Sequence, residues 1–196
     1  MFYTVEPLIL ASASPRRRRF LRDLGLDFTI KPAMVTEEAI PEESPEEFVR
    51  RLAVKKGKAV GHEHPGIWIL SADTAVIRDG KILGKPQNEE EAVEMLLSLA
   101  GRCHEVWTAY GIFRFKDHQE HVKAVQTRVC FHGLTEELCR AYVRSGESLD
   151  KAGGYGIQEK GACLVSRIEG SYTNVVGLPL AEVVDNLLSY GVISTE

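Results

Sequence analysis

The run PLILAS at residues 7–12 constrains the fold most, because it joins a continuous apolar stretch directly to a helix start. Continuous rather than alternating apolarity is typical of a strand that is covered on both faces. Ser14 and Pro15 follow, and a serine N-cap with proline at the first helical position favours a helix. The segment therefore predicts a buried strand followed at once by a helix, which is the building unit of α/β sheets.

The alternation of strand and helix continues along the chain. Ser44–Pro45 opens a second helix in the same way, with acids in its first turn, where the helix dipole favours them. GIWILSAD at 66–73 is typical of another buried strand, and Asp79–Gly80 predicts a tight hairpin turn. We expect one α/β domain over residues 1–196, with a mixed central sheet flanked by helices.

Composition excludes some partners and compartments. A formal net charge of −4 provides no global positive field that would draw the chain to nucleic acid or to a membrane surface. The first residues do not resemble a secretory signal, and no apolar run approaches the roughly 20 residues that cross a bilayer. We therefore expect a cytoplasmic protein. The four cysteines form no CxxC pair, so their spacing predicts free thiols rather than a disulfide framework or a zinc site.

Small and positively charged residues follow the first predicted strand. Ser12 lies between strand and helix, where backbone N–H groups and the positive end of the helix dipole can meet an anion. Arg16 and Arg17 add charge at that place. Four consecutive arginines on a helix cannot all face one site, so a solvated helix face over Arg16–Arg19 remains the alternative from composition alone.

Other candidate residues also lie where elements end. Asp73 ends a strand that otherwise looks fully buried, so its carboxylate either points into a cleft or caps the next turn. Lys85 in GKP and Glu37 in an acidic loop are weaker candidates, since solvated loops often carry such residues. Gln158 lies in the glycine-rich segment 146–161, which suits either close approach of backbone to a ligand or a simple connection.

Five segments together resemble one family: LILASASPRR (8–17), SADT (71–74), GKP (84–86), GESLDKAGGYGIQ (146–158) and GSYTNVVGLPL (170–180). In this order they are similar to the motifs of the Maf family of nucleoside triphosphate pyrophosphatases, over about residues 7–190. The resemblance implies a fold related to the inosine triphosphatases, release of pyrophosphate from a nucleoside triphosphate, a divalent cation (Mg²⁺ or Mn²⁺) and a homodimer. DKAGGYGIQ resembles the branch that acts on dTTP and UTP.

The resemblance also implies roles for single residues. The catalytic acid falls on Asp73, which either accepts a proton from water or joins Glu37 as a metal ligand. The positions that select the nucleotide fall on Arg16, Thr74 and Gln158. The phosphate-binding groups fall on Ser12, Arg17, Lys56 and Lys85.

The chain departs from the family pattern at two places, and two other functions stay open. KPAMVTEE lacks the aspartates that often precede the family's glutamate, and Glu159 stands where glycine usually follows the glutamine. One alternative is a 7-methyl-GTP pyrophosphatase, which a panel of nucleotides would identify. The other is a regulator that binds nucleic acid or protein through Arg16–Arg19, which predicts salt-sensitive DNA binding that falls with each arginine removed.

Overall fold

The computed structural model describes residues 1–195. The strands are β1 (Phe2–Thr4), β2 (Leu8–Leu10), β3 (Thr29–Ile30), β4 (Trp68–Arg78), β5 (Lys81–Leu83), β6 (Cys103–Arg114), β7 (Gln119–Phe131), β8 (Val165–Glu169) and β9 (Ile193–Thr195). The helices are α1 (Pro15–Asp23), α2 (Pro45–Gly61), α3 (Glu89–Leu99), α4 (Glu136–Val143), α5 (Tyr172–Val176) and α6 (Leu180–Ser189). Short 3-10 turns cover Phe115–Asp117, Ala152–Gly154 and Glu159–Leu164.

The main sheet is mixed. Its strand order is β3-β2-β4-β6-β7-β8, with β5 paired to β4. Strand β2 runs parallel to both β3 and β4, whereas β4 with β5 and β7 with β8 are antiparallel. Strands β1 and β9 form a separate antiparallel pair, which the sequence patterns do not predict. The mixed central sheet flanked by helices is confirmed.

The chain divides into two compact units, residues 1–73, 108–125 and 177–195 in the first and residues 74–107 and 126–176 in the second. In the first unit, alternate residues of β2 belong to different apolar clusters. Leu8 and Leu10 pack in a cluster with residues of α1 and α6, and Ile9 packs in another with Val60 of α2. Strand β2 is therefore covered on both faces, as its continuous apolarity predicts.

The second unit has its own apolar cluster. Helices α3 and α4 contact each other, and α3 contributes Leu96 and Leu99 to the cluster. Phe131 of β7, Tyr142 of α4 and Tyr155 from the glycine-rich segment join them. Apolar residues of α3, β7 and α4 thus pack in one cluster with Tyr155, in the segment that precedes Gln158.

Local signals place the helix starts and the hairpin correctly. The Ser14 hydroxyl accepts a hydrogen bond from the Arg17 amide at 3.4 Å, and Ser44 forms a reciprocal capping box with Glu47. Asp79 and Gly80 both have positive φ, 50° and 75°, as a tight hairpin with right-handed strand twist requires. Each of these features depends on only a few neighbouring residues.

The expectation that all cysteines are free thiols is wrong for one pair. Cys103 at the start of β6 and Cys130 near the end of β7 are joined by a disulfide, because the neighbouring strands bring together two residues that are distant in sequence. Cys139 is a buried free thiol and Cys163 is an exposed one. Within residues 1–195, no helix combines the length and apolarity needed to cross a membrane.

Candidate active site

Asp73 is only 5% exposed. The prediction that it ends a strand is wrong, because β4 continues through Asp73 to Arg78 as one long strand. The strand is buried on both sides of it, since Ser71, Ala72 and Ala75 are buried as well. The Asp73 carboxylate oxygen Oδ1 accepts a hydrogen bond from Lys56 Nζ at 2.6 Å. A nearly buried carboxylate with an ammonium partner is a candidate catalytic group rather than a turn cap.

Lys56 connects Asp73 to a second carboxylate. It lies on α2, and its ammonium is 2.5 Å from Glu37 Oε1 and 2.6 Å from Asp73 Oδ1. The Lys56 side chain is mostly buried, while half of the Glu37 side chain is exposed. Glu37 therefore forms the solvent-facing side of the cluster and Asp73 its buried side.

Two opposite effects act on the pKa of Asp73 in this cluster. Burial raises the pKa of Asp73, and the positive charges of Lys56 and Arg17 partly offset this by favouring the carboxylate. The net direction is upward. A carboxylate with a raised pKa is a stronger proton acceptor than an ordinary aspartate, and this property suits a general base.

Arg17 is buried beside this cluster and is held by backbone carbonyls. Its Nε donates to Gly177 O at 2.7 Å, and its Nη1 donates to Ala72 O at 2.8 Å and to Ser12 Oγ at 3.2 Å. Burial lowers the pKa of Arg17 to about 10, so the group remains cationic near neutral pH. Arg17 thereby ties α1 to the residue before Asp73 and to the chain at Gly177.

At the helix start where the sequence predicts an anion, two serine hydroxyls already accept hydrogen bonds from backbone N–H groups. Ser14 N–H donates to Ser12 Oγ at 3.2 Å, and Arg17 N–H donates to Ser14 Oγ. A phosphate at this helix start would have to replace one of these bonds or use other donors. Ser12 is itself buried, with its hydroxyl beside the Arg17 guanidinium.

The arginine run is divided between interior and surface. Arg17 is 8% exposed, Arg16 and Arg18 are half-buried, and Arg19 is exposed. Arg19 Nε lies 3.5 Å from the carboxylate of Asp23 one turn later. The run is therefore not a continuous basic surface, which weighs against a regulator that contacts nucleic acid through all four arginines.

The remaining predicted site residues belong to the second unit. Thr74 is half-buried in β4, Lys85 is exposed after β5, and Gln158 is half-buried at the start of a 3-10 turn. The glycine-rich segment is tied to the GKP motif by a hydrogen bond from Gly153 N to Gly84 O at 3.0 Å. The structure thus places Ser12 and Arg17 beside the Glu37–Lys56–Asp73 cluster in the first unit. In the second unit it bonds the glycine-rich segment to Gly84, the residue before Lys85.

Sequence reasoning missed the side chains that hold the glycine-rich segment. Tyr155 within it hydrogen-bonds to His104 of β6, and Gly156 hydrogen-bonds to Tyr142 of α4. No local pattern points to His104 or Tyr142, because each looks like an ordinary aromatic residue of a strand or helix. Only the packing of three separate elements brings them to the loop.

The carboxylates fit the expected divalent cation in part. Glu37 and Asp73 present oxygens to one positive centre, and oxygen ligands suit Mg²⁺. In the described part of the chain, no group of three or more His, Cys, Asp and Glu residues could hold a metal by itself. Mg²⁺ usually takes one or two carboxylates and completes its shell with water and substrate phosphates, so two carboxylates are consistent with a cation that arrives with a nucleotide.

Comparisons with known proteins agree with the motifs. A family model described as Maf-like protein matches residues 7–190. A protein of Desulfotalea psychrophila named dTTP/UTP pyrophosphatase is 54% identical over 99% of this chain and 100% of its own length. One of the same name from Geobacter metallireducens is 47% identical over 94% of this chain and 96% of its own. The solved Staphylococcus aureus Ham1 protein is 14% identical with a TM-score of 0.43, covering 64% of this chain and 72% of that one.

Proposed function

Since the chain belongs to the Maf family, we propose that it is a nucleoside triphosphate pyrophosphatase that hydrolyses dTTP and UTP to the monophosphate and pyrophosphate. The names of the relatives at 54% and 47% identity support this substrate class. The observation that carries the proposal is the buried Asp73 carboxylate, bonded to Lys56 beside the cationic Arg17. Modified pyrimidine nucleotides fall within the same substrate class.

In the proposed mechanism, Asp73 orients a water molecule and accepts its proton. The water oxygen forms a bond to the α-phosphorus, and the bond from that phosphorus to the bridging oxygen of the β-phosphate breaks. Pyrophosphate leaves with the bonding electron pair. The raised pKa of Asp73 favours proton transfer to this carboxylate, and a well-placed base contributes about 10²–10⁴-fold.

The phosphates need positive partners. Lys56 and Lys85 are proposed to bind the phosphates through their ammonium groups. Arg17 and Ser12 are proposed to donate further hydrogen bonds to the phosphates beside Asp73. In the alternative role of Asp73, this carboxylate would hold a divalent cation, Mg²⁺ or Mn²⁺, together with Glu37. When bound, the cation neutralises charge on the phosphate oxygens.

Gln158 is proposed to select the base. Uracil and thymine present an N3–H donor beside the O4 acceptor, and a glutamine amide offers the complementary acceptor and donor. The amide would pair with cytosine if it were turned over, so its orientation has to be fixed by neighbouring groups. Arg16 and Thr74 are the proposed neighbours.

Three further properties belong to the same proposal. The residues 1–196 act as one catalytic domain, the enzyme is a homodimer, and it works in the cytoplasm without nucleic-acid or membrane partners. The net charge of −4 supports the absence of nucleic-acid partners. Size-exclusion chromatography with light scattering measures the oligomeric state directly.

The deciding experiment is a nucleotide panel with product identification. The purified protein is incubated with Mg²⁺ or Mn²⁺ and dTTP, UTP, CTP, GTP or 7-methyl-GTP, and the phosphorus products are separated. Monophosphate and pyrophosphate from dTTP and UTP are expected. Release of orthophosphate as the first product would overturn the reaction, and highest efficiency with 7-methyl-GTP would overturn the substrate.

Gln158→Ala tests the base contact. If Gln158 pairs with the pyrimidine, its removal lowers kcat/KM for dTTP and UTP and narrows their advantage over CTP and GTP, by roughly 1–3 kcal/mol for an unpaired polar edge. The ratio of efficiencies across the panel is the measurement. An equal loss for every nucleotide would mean that Gln158 supports the loop and that selection occurs elsewhere.

A further inference from the structure

A buried tyrosine–histidine pair holds the segment that precedes Gln158. The hydroxyl of Tyr155 and Nε2 of His104 are 2.6 Å apart, and the two residues are 5% and 3% exposed. His104 lies at the start of β6, whereas Tyr155 lies among the glycines of the loop. A strand of the sheet is thereby bonded to a loop that has little regular structure of its own.

Both groups of this pair are neutral. Burial lowers the pKa of His104 to about 4, and burial also raises the pKa of Tyr155 well above its ordinary value. Among residues 1–195, Nδ1 of His104 has no hydrogen-bond partner, so Tyr155 is the polar contact of the ring. The ring otherwise meets Phe131 edge-on at 5.1 Å between centroids, which leaves it little freedom to turn.

A second anchor holds the residue that follows Tyr155. Gly156 N–H donates to the hydroxyl of Tyr142 on α4 at 3.0 Å. The chain is so tightly packed here that a Cβ at Gly161 would lie 1.8 Å from Gly156 O and 3.0 Å from the Tyr142 hydroxyl. The backbone at 155 and 156 is therefore fixed from a strand and from a helix, two residues before Gln158.

We propose that His104 is a positioning residue for nucleotide selection, acting through Tyr155 to hold the 153–158 backbone so that Gln158 meets the pyrimidine edge. This inference rests on the proposed function, in which Gln158 reads the base. Lys56 and Asp73 are bonded to each other within the first unit, so the groups that perform the chemistry do not depend on the Tyr155 hydrogen bond. Loss of His104 therefore affects the choice of nucleotide more than the chemical step.

The test compares variants that remove the hydrogen bond with variants that keep it. Tyr155→Phe removes only the hydroxyl, His104→Leu removes the ring nitrogens, and His104→Gln retains a polar group that can reach Tyr155. Tyr110→Phe is the matched control, because this buried tyrosine of the first unit also loses a hydroxyl bond, to Asn186 at 2.8 Å. kcat and KM are measured for each variant on dTTP, UTP, CTP and GTP.

Tyr155→Phe and His104→Leu are expected to narrow the ratio between preferred and poor nucleotides by roughly three- to tenfold, the equivalent of one hydrogen bond. The change should appear as a higher KM for the preferred nucleotides with kcat nearly constant. His104→Gln should recover part of the ratio, and Tyr110→Phe should leave it unchanged. Equal losses for all four nucleotides, or an unchanged ratio in Tyr155→Phe, would overturn the proposal.

Measuring the nucleotide panel on the wild-type enzyme distinguishes failure of the positioning proposal from failure of the proposed function. If the wild-type enzyme prefers a nucleotide other than dTTP or UTP, the substrate assignment is wrong, and the positioning role is still tested on the ratio between the best and the poorest nucleotide. Should His104→Leu fail to fold, Tyr155→Phe decides, since it keeps the aromatic ring and its packing. Hydrogen exchange of the Gly156 amide in Tyr155→Phe gives an independent readout, with faster exchange expected.

Discussion

In the first unit, the candidate catalytic groups are charged and paired, whereas in the second unit the loop before Gln158 is held by neutral groups. Asp73, Lys56 and Glu37 form an ion-paired cluster on a strand, a helix and a loop. Tyr155 and Gly156 are held by hydrogen bonds to His104 and Tyr142. The first arrangement controls charge and proton affinity, and the second controls only the position of the backbone.

Because of this difference, pH should affect the reaction rate and the nucleotide preference differently. Burial raises the pKa of Asp73, so protonation of its carboxylate should stop the proposed reaction as pH falls. The His104–Tyr155 pair stays neutral from about pH 5 upward, because His104 has a pKa of about 4. The rate should therefore depend on pH while the choice of nucleotide does not. Selectivity that changes with pH in parallel with the rate would break the comparison.

The largest effect is expected from Asp73→Asn. The amide cannot accept the proton of water, so kcat should fall by on the order of 10² or more while the circular dichroism spectrum stays native. Stopped or coupled assays of pyrophosphate release measure the loss. A folded variant that retains wild-type turnover would remove Asp73 from the mechanism.

The same variant tests the electrostatics of the cluster in the folded protein. Because burial raises the pKa of Asp73 above its ordinary 3.8, the ionised carboxylate is less favourable in the folded chain than in the unfolded one. The resulting penalty is present at neutral pH and disappears as pH falls below the unfolded pKa. Asp73→Asn should therefore be as stable as wild type or more stable at neutral pH in chemical denaturation, and this gain should shrink in acid.

The next largest effect concerns the stability of the first unit. Arg17→Ala leaves the carbonyls of Ala72 and Gly177 without their donor, which should cost about 2–3 kcal/mol in the free energy of unfolding. Arg19→Ala is the matched control, since the exposed Arg19 should change stability by no more than about 0.5 kcal/mol. Urea unfolding of both variants measures the difference. Equal effects would mean that the arginine run acts as one solvated surface.

Lys56→Met should change the pH dependence more than the maximal rate. Without the ammonium, nothing in the cluster offsets burial as strongly, so the pKa of Asp73 should rise further and the acid limb of kcat/KM should move to higher pH. Near neutral pH we expect a loss on the order of tenfold, because the base is only partly ionised. Lys55→Met is the control, because the exposed Lys55 bonds only to Thr36 O at 3.1 Å among the contacts described.

If the acid limb of kcat/KM stays at the wild-type pH in Lys56→Met, Lys56 only binds the phosphates and does not set the pKa of Asp73. A general loss of phosphate affinity would then raise KM at every pH. The full pH profile of kcat and of KM distinguishes this result from a shifted Asp73 pKa.

The smallest effect is expected at Glu159, next to Gln158. Glu159 has φ of 56°, a left-handed conformation that suits glycine and is costly for residues with a Cβ. Glu159→Gly should raise the free energy of unfolding by up to about 1 kcal/mol, and Glu159→Ala should not, since alanine keeps the strain. An equal gain in both variants would show that the carboxylate, and not the backbone, is the source of the instability.

Particular residues show how far sequence reasoning reached in the site. The acid Asp73 in an otherwise apolar strand and the glycine-rich segment around Gln158 are visible as local patterns, although the strand continues past Asp73 to Arg78. The family resemblance supplies their proposed roles. Nothing local indicates that Lys56, in the middle of an amphipathic helix, meets Asp73 at 2.6 Å. The sequence assigned Arg16 and Arg17 alike to the anion site, but burial against two carbonyls distinguishes Arg17. Both outcomes depend on which face of a helix packs on the sheet.

The sequence by itself determined the features that depend on a few neighbouring residues: the capped starts of α1 and α2, the Asp79–Gly80 turn, and the strand β2 that is covered on both faces. Tertiary structure alone decided the Cys103–Cys130 disulfide, the Lys56 ion pairs and the His104–Tyr155 bond. The physical reason is how far apart in the sequence the interacting residues lie. Caps and turns are fixed by local sterics and hydrogen bonds, whereas long-range pairs depend on strand order and packing, which no short stretch of sequence encodes.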